Sequence, residues 1–284
     1  MQLRDEDITT REVLDWQGIH LIHFFGSSCS QKARIFLNLK GIKWKSHHLN
    51  LAKHENYQPW FLGINPRGLV PVLVHDGAVH IESNDILTYL DDTFPHNQLI
   101  PTDNRAALIS SLIEEDDLHL DIRTLTMRFV FPKFLAQKKP RDIEAYETDE
   151  GTVAGQRDPH KEVELKFWKD YAQHGITDTQ AQTAAHNFKA VLDRFDLQLK
   201  ASTYLTGEQI TLLDIAWFIY VHRLTAATYP IKKMHPYVYQ WFMNLLGKPE
   251  FAKEVATPTP VKLISGGLHL SQKLTGKTLS KVAF

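Results

Sequence analysis

The stretch IHLIHFFGSSCSQKARIFLNLKGIKWKSHHLNL, Ile19 to Leu51, decides the fold. Ile19 to Phe25 is a short apolar run rich in β-branched and aromatic residues that stops at Gly26, the pattern of a buried strand. From Ser28 to Lys40, Ala33, Ile35, Phe36 and Leu39 recur at mostly helical spacing. Ser27 or Ser28 can cap that helix and Gly41 can take the left-handed stop. Lys43 to Leu51 then returns as a strand. Strand, helix and strand within about 30 residues make a βαβ unit with parallel strands and a right-handed crossover.

Beyond it, the polar stretch AKHENYQPWFLGINPRG leads to two short runs, Leu69 to Asp76 and Ala78 to Glu82, joined at Gly77. Asp-Gly between such runs predicts a β-hairpin. Ser83 to Asp92, with Ile86, Leu87 and Leu90 on one side, reads as a helix. The whole is βαβ followed by ββα, an α/β domain on a mixed four-stranded sheet. After Pro101 only helical patterns remain. Ala106 to Ile122 and Thr179 to Leu199 each carry an apolar face, and Thr211 with Asp214 has the spacing of a capping box. Pro132 to Ile176 is too long and polar for a turn and reads as a lid or an insert. The boundaries expected are 1–18 for an N-terminal extension, 19–98 for the α/β domain, 99–256 for an all-α domain and 257–284 for a surface tail with little helical period.

Composition narrows the functions. With 32 basic and 33 acidic residues the chain has no bulk attraction for nucleic acid or anionic lipid, and one cysteine excludes a disulfide scaffold. No run approaches a membrane span, and the start MQLRDEDITTREV is too acidic for a signal peptide, so the cytoplasm is the expected setting. The fifteen histidines show no metal-ligand spacing, and His47 and His48 on one strand would face opposite sides, so no metal is expected.

Chemistry concentrates where the first strand meets the first helix: Ser27, Ser28, Cys29 and Ser30 place three hydroxyls and a thiol there. A helix N-terminus is worth about 0.3–2 kcal/mol to an anion, and a charge-assisted hydrogen bond from serine roughly 1.5–3 kcal/mol. Together these would ionise a bound thiol at neutral pH. On spacing alone the alternative stands equal: the serines only cap the helix and Cys29 is a small buried residue.

SSCSQKARI (Ser27 to Ile35), INPRGLVPVL (Ile64 to Leu73) and ESNDIL (Glu82 to Leu87), in this order, resemble the thioredoxin-like domain of cytosolic glutathione transferases. Asn104 to Val255, with TLLDIA at Thr211 to Ala216, is similar to their helical domain. The resemblance implies roles. Pro71 matches the family's cis-proline, with Val70 pairing to the cysteinyl backbone of glutathione, and Glu82 and Ser83 match the residues that hold its γ-glutamyl end. Ser27 falls at the catalytic position, which Ser28, Cys29 and Ser30 could share. His54 is the candidate for the glycyl end, with Asn56 and Gln58 as rivals, and Asp116 or Asp117 would reach the amine across a homodimer.

The SSCS loop resembles the zeta class, which isomerises maleylacetoacetate. The NPRGLVPVLVHDGAVHIES stretch and the enlarged helical domain look more like bacterial and fungal transferases that include β-aryl etherases and dehalogenases. The leading expectation is a transferase whose Ser27 stabilises the glutathione thiolate for attack on a hydrophobic, aromatic electrophile, in a pocket lined by Phe25, Gly26, the helix from Ala106 to Arg128 and the tail. The alternatives are the isomerase, a non-catalytic binding protein, and a reductase using Cys29.

Overall fold

The computed structural model describes residues 1–284, which divide into two compact units. One comprises Met1–His96 with Gln137–Gln173, the other Asn97–Ala136 with His174–Phe284.

In the first unit, β1 (Ile19–His23), α1 (Ser28–Lys40) and β2 (Lys45–His48) form the expected βαβ. A short α2 (Pro59–Leu62) precedes the hairpin of β3 (Val72–His75) and β4 (Ala78–His80), and α3 (Ser83–Thr93) follows. The sheet order is β2-β1-β3-β4; β1 and β2 are parallel, the other pairs antiparallel. The hairpin turns on Asp76 and Gly77, both at positive φ, the geometry that Asp-Gly favours. Helices α1 and α3 pack together, burying Ile35, Phe36, Ile86 and Leu90. A buried ion pair, Lys40 to Asp91 at 2.8 Å, joins them.

The first eighteen residues are not a separate appendage. The Leu3 amide donates to the Val79 carbonyl at 2.9 Å, and Leu3, Ile8 and Val13 are buried in the same core as Val72, Val74 and Val79. This covers the β4 edge, whose backbone groups would otherwise be open to pairing with another chain.

The remaining helices are α4 (Arg105–Asp117), α5 (His119–Phe129), α6 (Lys133–Ala136), α7 (Pro140–Thr148), α8 (Pro159–His174) and α9 (Asp178–Gln198). Then come α10 (Leu212–Ala226), α11 (Ile231–Met234), α12 (Pro236–Leu246), α13 (Pro249–Ala252), α14 (Thr259–Leu274) and α15 (Leu279–Ala283). Three differences from the sequence reading stand out. The helix expected over Ala106 to Ile122 breaks at Leu118, between α4 and α5. The tail is helical: α14 holds despite Gly266 and Gly267, and the His269 and Gln272 side chains reach the Phe129 carbonyl at the end of α5. The insert is ordered, and residues 137–173 belong to the first unit rather than to the helical one.

Helix α10 is buried on nearly every face. Its capping box is present: the Thr211 amide and hydroxyl donate to Asp214 Oδ2, while Asp214 Oδ1 receives the Leu205 amide and the Trp241 indole, each at 2.9 Å. Burial raises the Asp214 pKa, and these four donors work against that rise.

Candidate functional site

Topology brings the three motifs to one sheet edge. Because β1 and β4 each run antiparallel to β3, they are parallel to each other. Helices α1 and α3 therefore start at the same edge, where the segment entering β3 also lies.

At that edge Ser27 is the N-cap of α1, its Oγ accepting from the Ser30 amide at 3.3 Å. The same hydroxyl faces the Val70 carbonyl at 3.5 Å, the outer limit of a hydrogen bond, so its proton is not locked in place. The Val70–Pro71 peptide bond is cis. Ser28 and Cys29 occupy the first turn of α1 and are half-buried, and Cys29 forms no disulfide. Ser30 is fully buried, with its Oγ accepting from the Phe24 amide at 3.4 Å, a structural posture. Behind the loop, the Arg34 guanidinium donates to the carbonyls of Phe24 and Phe25 at 3.2 and 3.1 Å and holds its curvature. Phe25 is 42% exposed and stacks on His48, while His47 stacks on Trp16 and His20.

Ser83 is buried and opens α3, whose first-turn amides lack intrahelical acceptors. The buried Lys32 of α1 donates to Asn84 Oδ1 at 2.7 Å, tying the two helix starts together. Glu82 sits just before α3 at φ 65°, a conformation rare outside glycine. Its Oε1 accepts from Arg67 Nη1 at 2.5 Å. Arg67 Nε in turn makes a short contact with Asp158 Oδ2 from the insert. Burial alone would lower the Arg67 pKa, but the Asp158 hydrogen bond and the Glu82 charge prevail and raise it.

His54 is held by a residue of the insert. It is buried, and its Nδ1 meets Asp142 Oδ2 of α7 at 2.5 Å. Desolvation lowers its pKa, and the Asp142 hydrogen bond and charge oppose that fall. The sequence reading offered this side chain to the glycyl end of glutathione; the structure places its Nδ1 on Asp142. Of its rivals, Asn56 donates through Nδ2 to the Gly68 carbonyl at 2.8 Å, while its buried Oδ1 has no hydrogen-bond partner. Asp116 and Asp117 are exposed at the end of α4.

Sequence reasoning passed over Arg67, Asp142 and Asp158. Arg67 stands inside the quoted INPRG motif. Asp158 carried a local signal, an aspartate directly before a proline that starts a helix.

Two family models match, "Glutathione S-transferase, N-terminal domain" over residues 26–93 and "Glutathione S-transferase, C-terminal domain" over residues 178–242. The chain is similar to both domains of the glutathione S-transferases. Among curated relatives, a zeta-class glutathione S-transferase of Euphorbia esula is 44% identical over 85 residues, 30% of this chain and 38% of that one. Protein LigF of Sphingobium sp. is 40% identical over 87 residues, 30% of this chain and 34% of its own. The chain thus spans well under half the length of the curated relatives it matches. The crystal structure of the β-etherase LigF superposes with a TM-score of 0.71 at 24% identity, covering 84% of this transferase-like chain and 98% of LigF. That likeness extends the common fold over both domains. No helix is long and apolar enough to cross a membrane.

Proposed function

We propose that the protein is a glutathione transferase in which Ser27 stabilises the thiolate of bound glutathione for attack on a hydrophobic, aromatic electrophile. One observation carries the reading: the Ser27 hydroxyl caps α1 and lies 3.5 Å from the Val70 carbonyl, beside cis-Pro71. Glutathione fits this edge. Val70 offers backbone groups for antiparallel pairing with its cysteinyl residue, Ser83 and the α3 amides suit its α-carboxylate, and Glu82 suits its ammonium. The thiol loses its proton to solvent, and the Ser27 O–H and the start of α1 hold the sulfur anion. The thiolate then forms a C–S bond to the electrophilic carbon as the bond to an aryloxide or halide breaks and the leaving group keeps the electron pair. The exposed Phe25 ring next to the loop favours an apolar second substrate, and the likeness to LigF favours β-aryl ether cleavage or dehalogenation. The reading carries a homodimer and a cytoplasmic setting.

A second reading has its own support. The 44% identity to a zeta-class transferase over 85 residues, together with the resemblance of the Ser27–Ser28–Cys29 loop to that class, favours isomerisation of a maleylacetoacetate-type substrate, with glutathione returned unchanged.

The test is a glutathione titration of wild type, Ser27→Ala and Cys29→Ala, following the ultraviolet thiolate band against pH and the consumption of free thiol. Loss of the Ser27 hydrogen bond lowers turnover roughly tenfold to a hundredfold and abolishes the low-pH thiolate band. A larger effect from Cys29→Ala would transfer the role to the cysteine. Consumption of free thiol separates transfer from isomerisation.

A further inference from the structure

We propose that Asp158, carried by the insert, is a positioning residue for the ammonium group of glutathione: by neutralising Arg67 it leaves the Glu82 carboxylate its negative charge. The inference rests on the reading of this edge as a glutathione site. Alone, Arg67 at 2.5 Å from Glu82 would cancel it, leaving a neutral pair with little attraction for an ammonium. With Asp158 on the other side of the guanidinium, the triad carries a net charge of −1, and its accessible end is Glu82. The Arg67 and Asp158 side chains are 13% and 10% exposed, whereas Glu82 is 34% exposed, so solvent screens the inner pair least and the ligand meets the outer carboxylate.

The geometry is held from the insert on several sides. Asp158 Oδ1 accepts from the His160 amide at 3.0 Å, which orients the carboxylate at the start of α8. The Tyr146 hydroxyl of α7 donates to the Arg67 carbonyl at 2.8 Å, and its ring stacks on Tyr57 at 4.8 Å. Arg67 is thus gripped by backbone and side chain from a segment that the three glutathione motifs do not include.

Calorimetric titration of the full chain with glutathione and with glutaryl-cysteinyl-glycine, which lacks only the ammonium, separates charge from shape. Asp158→Asn is expected to weaken glutathione about tenfold and the deaminated analogue less than about twofold, with KM for glutathione rising in step and kcat unchanged. The double variant Arg67→Gln/Asp158→Asn restores the net charge of −1 and should recover the wild-type preference for the amine. Equal weakening of both ligands by Asp158→Asn would reduce Asp158 to a structural role, and no weakening, or a double variant without amine preference, would overturn the charge account. Failure of the wild type to bind glutathione would instead overturn the functional reading itself.

Discussion

Gly77 shows how a single residue binds two parts of the first unit. It has φ 82° in the β3–β4 turn, and a Cβ built on it would stand 2.1 Å from the backbone carbonyl oxygen of Leu14. A backbone atom cannot swing away as a side chain can, so Gly77→Ala must both adopt an unfavoured φ and displace the N-terminal segment. It should cost about 2–3 kcal/mol, read as a lower urea midpoint at unchanged m-value. The turn at Gly77 was legible because Asp-Gly between two apolar runs has a local cause. So were Ser27 as a helix cap and Ser83 as a helix start, whereas the cis bond at Pro71 was implied only by the family resemblance. The contact of His54 was not legible, for the opposite reason: it is made with Asp142, 88 residues away. No spacing in the sequence announces that partner.

Among elements, α10 was read correctly from its capping box, and the structure adds what that box supports. Asp214 receives the Thr211 and Leu205 amides, the Thr211 hydroxyl and the Trp241 indole. Asp214→Ala leaves those buried donors without an acceptor and should destabilise the protein by about 3 kcal/mol, measured by chemical denaturation; Asp214→Asn, which keeps the carbonyl oxygen, should cost less. The elements that escaped the sequence reading are those whose causes are tertiary. The α4–α5 break at Leu118 follows the acidic run Glu114 to Asp117 and has neither proline nor glycine to announce it. Helix α14 contains a glycine pair that costs about 1 kcal/mol per residue in a helix, and side-chain contacts to Phe129 help hold it. Insert helices α7 and α8 bury Tyr146 and Leu165 against Tyr57 and Leu62, so a segment that read as too polar for a turn has an apolar partner in the first unit.

At the scale of the whole molecule, histidines govern the response to acid. Burial, joined by nearby positive groups, lowers the pKa of His23 and of His80 to about 4 and of His222 to about 3. Unfolded histidine titrates near 6.5. Between these values the unfolded chain binds more protons than the folded one, so stability is fully present above about 6.5 and is lost as pH falls toward about 4. The urea midpoint should decline steadily across that window, and His80→Gln should flatten the decline; a midpoint independent of pH there would show that these rings are not held neutral.

The first unit is discontinuous in the chain, and this orders events during synthesis. Residues 1–96 leave the ribosome well before Gln137–Gln173, with part of the helical unit in between. Until the later stretch emerges, Tyr57 lacks Tyr146, Asp7 lacks the amides of Ala154 and Gly155, and Arg67 has Glu82 without Asp158. The nascent sheet therefore waits with an uncovered aromatic face and a neutral carboxylate–guanidinium pair. The ammonium site proposed above is completed by the same chain, more than sixty residues of translation after the Glu82–Ser83 corner has been made.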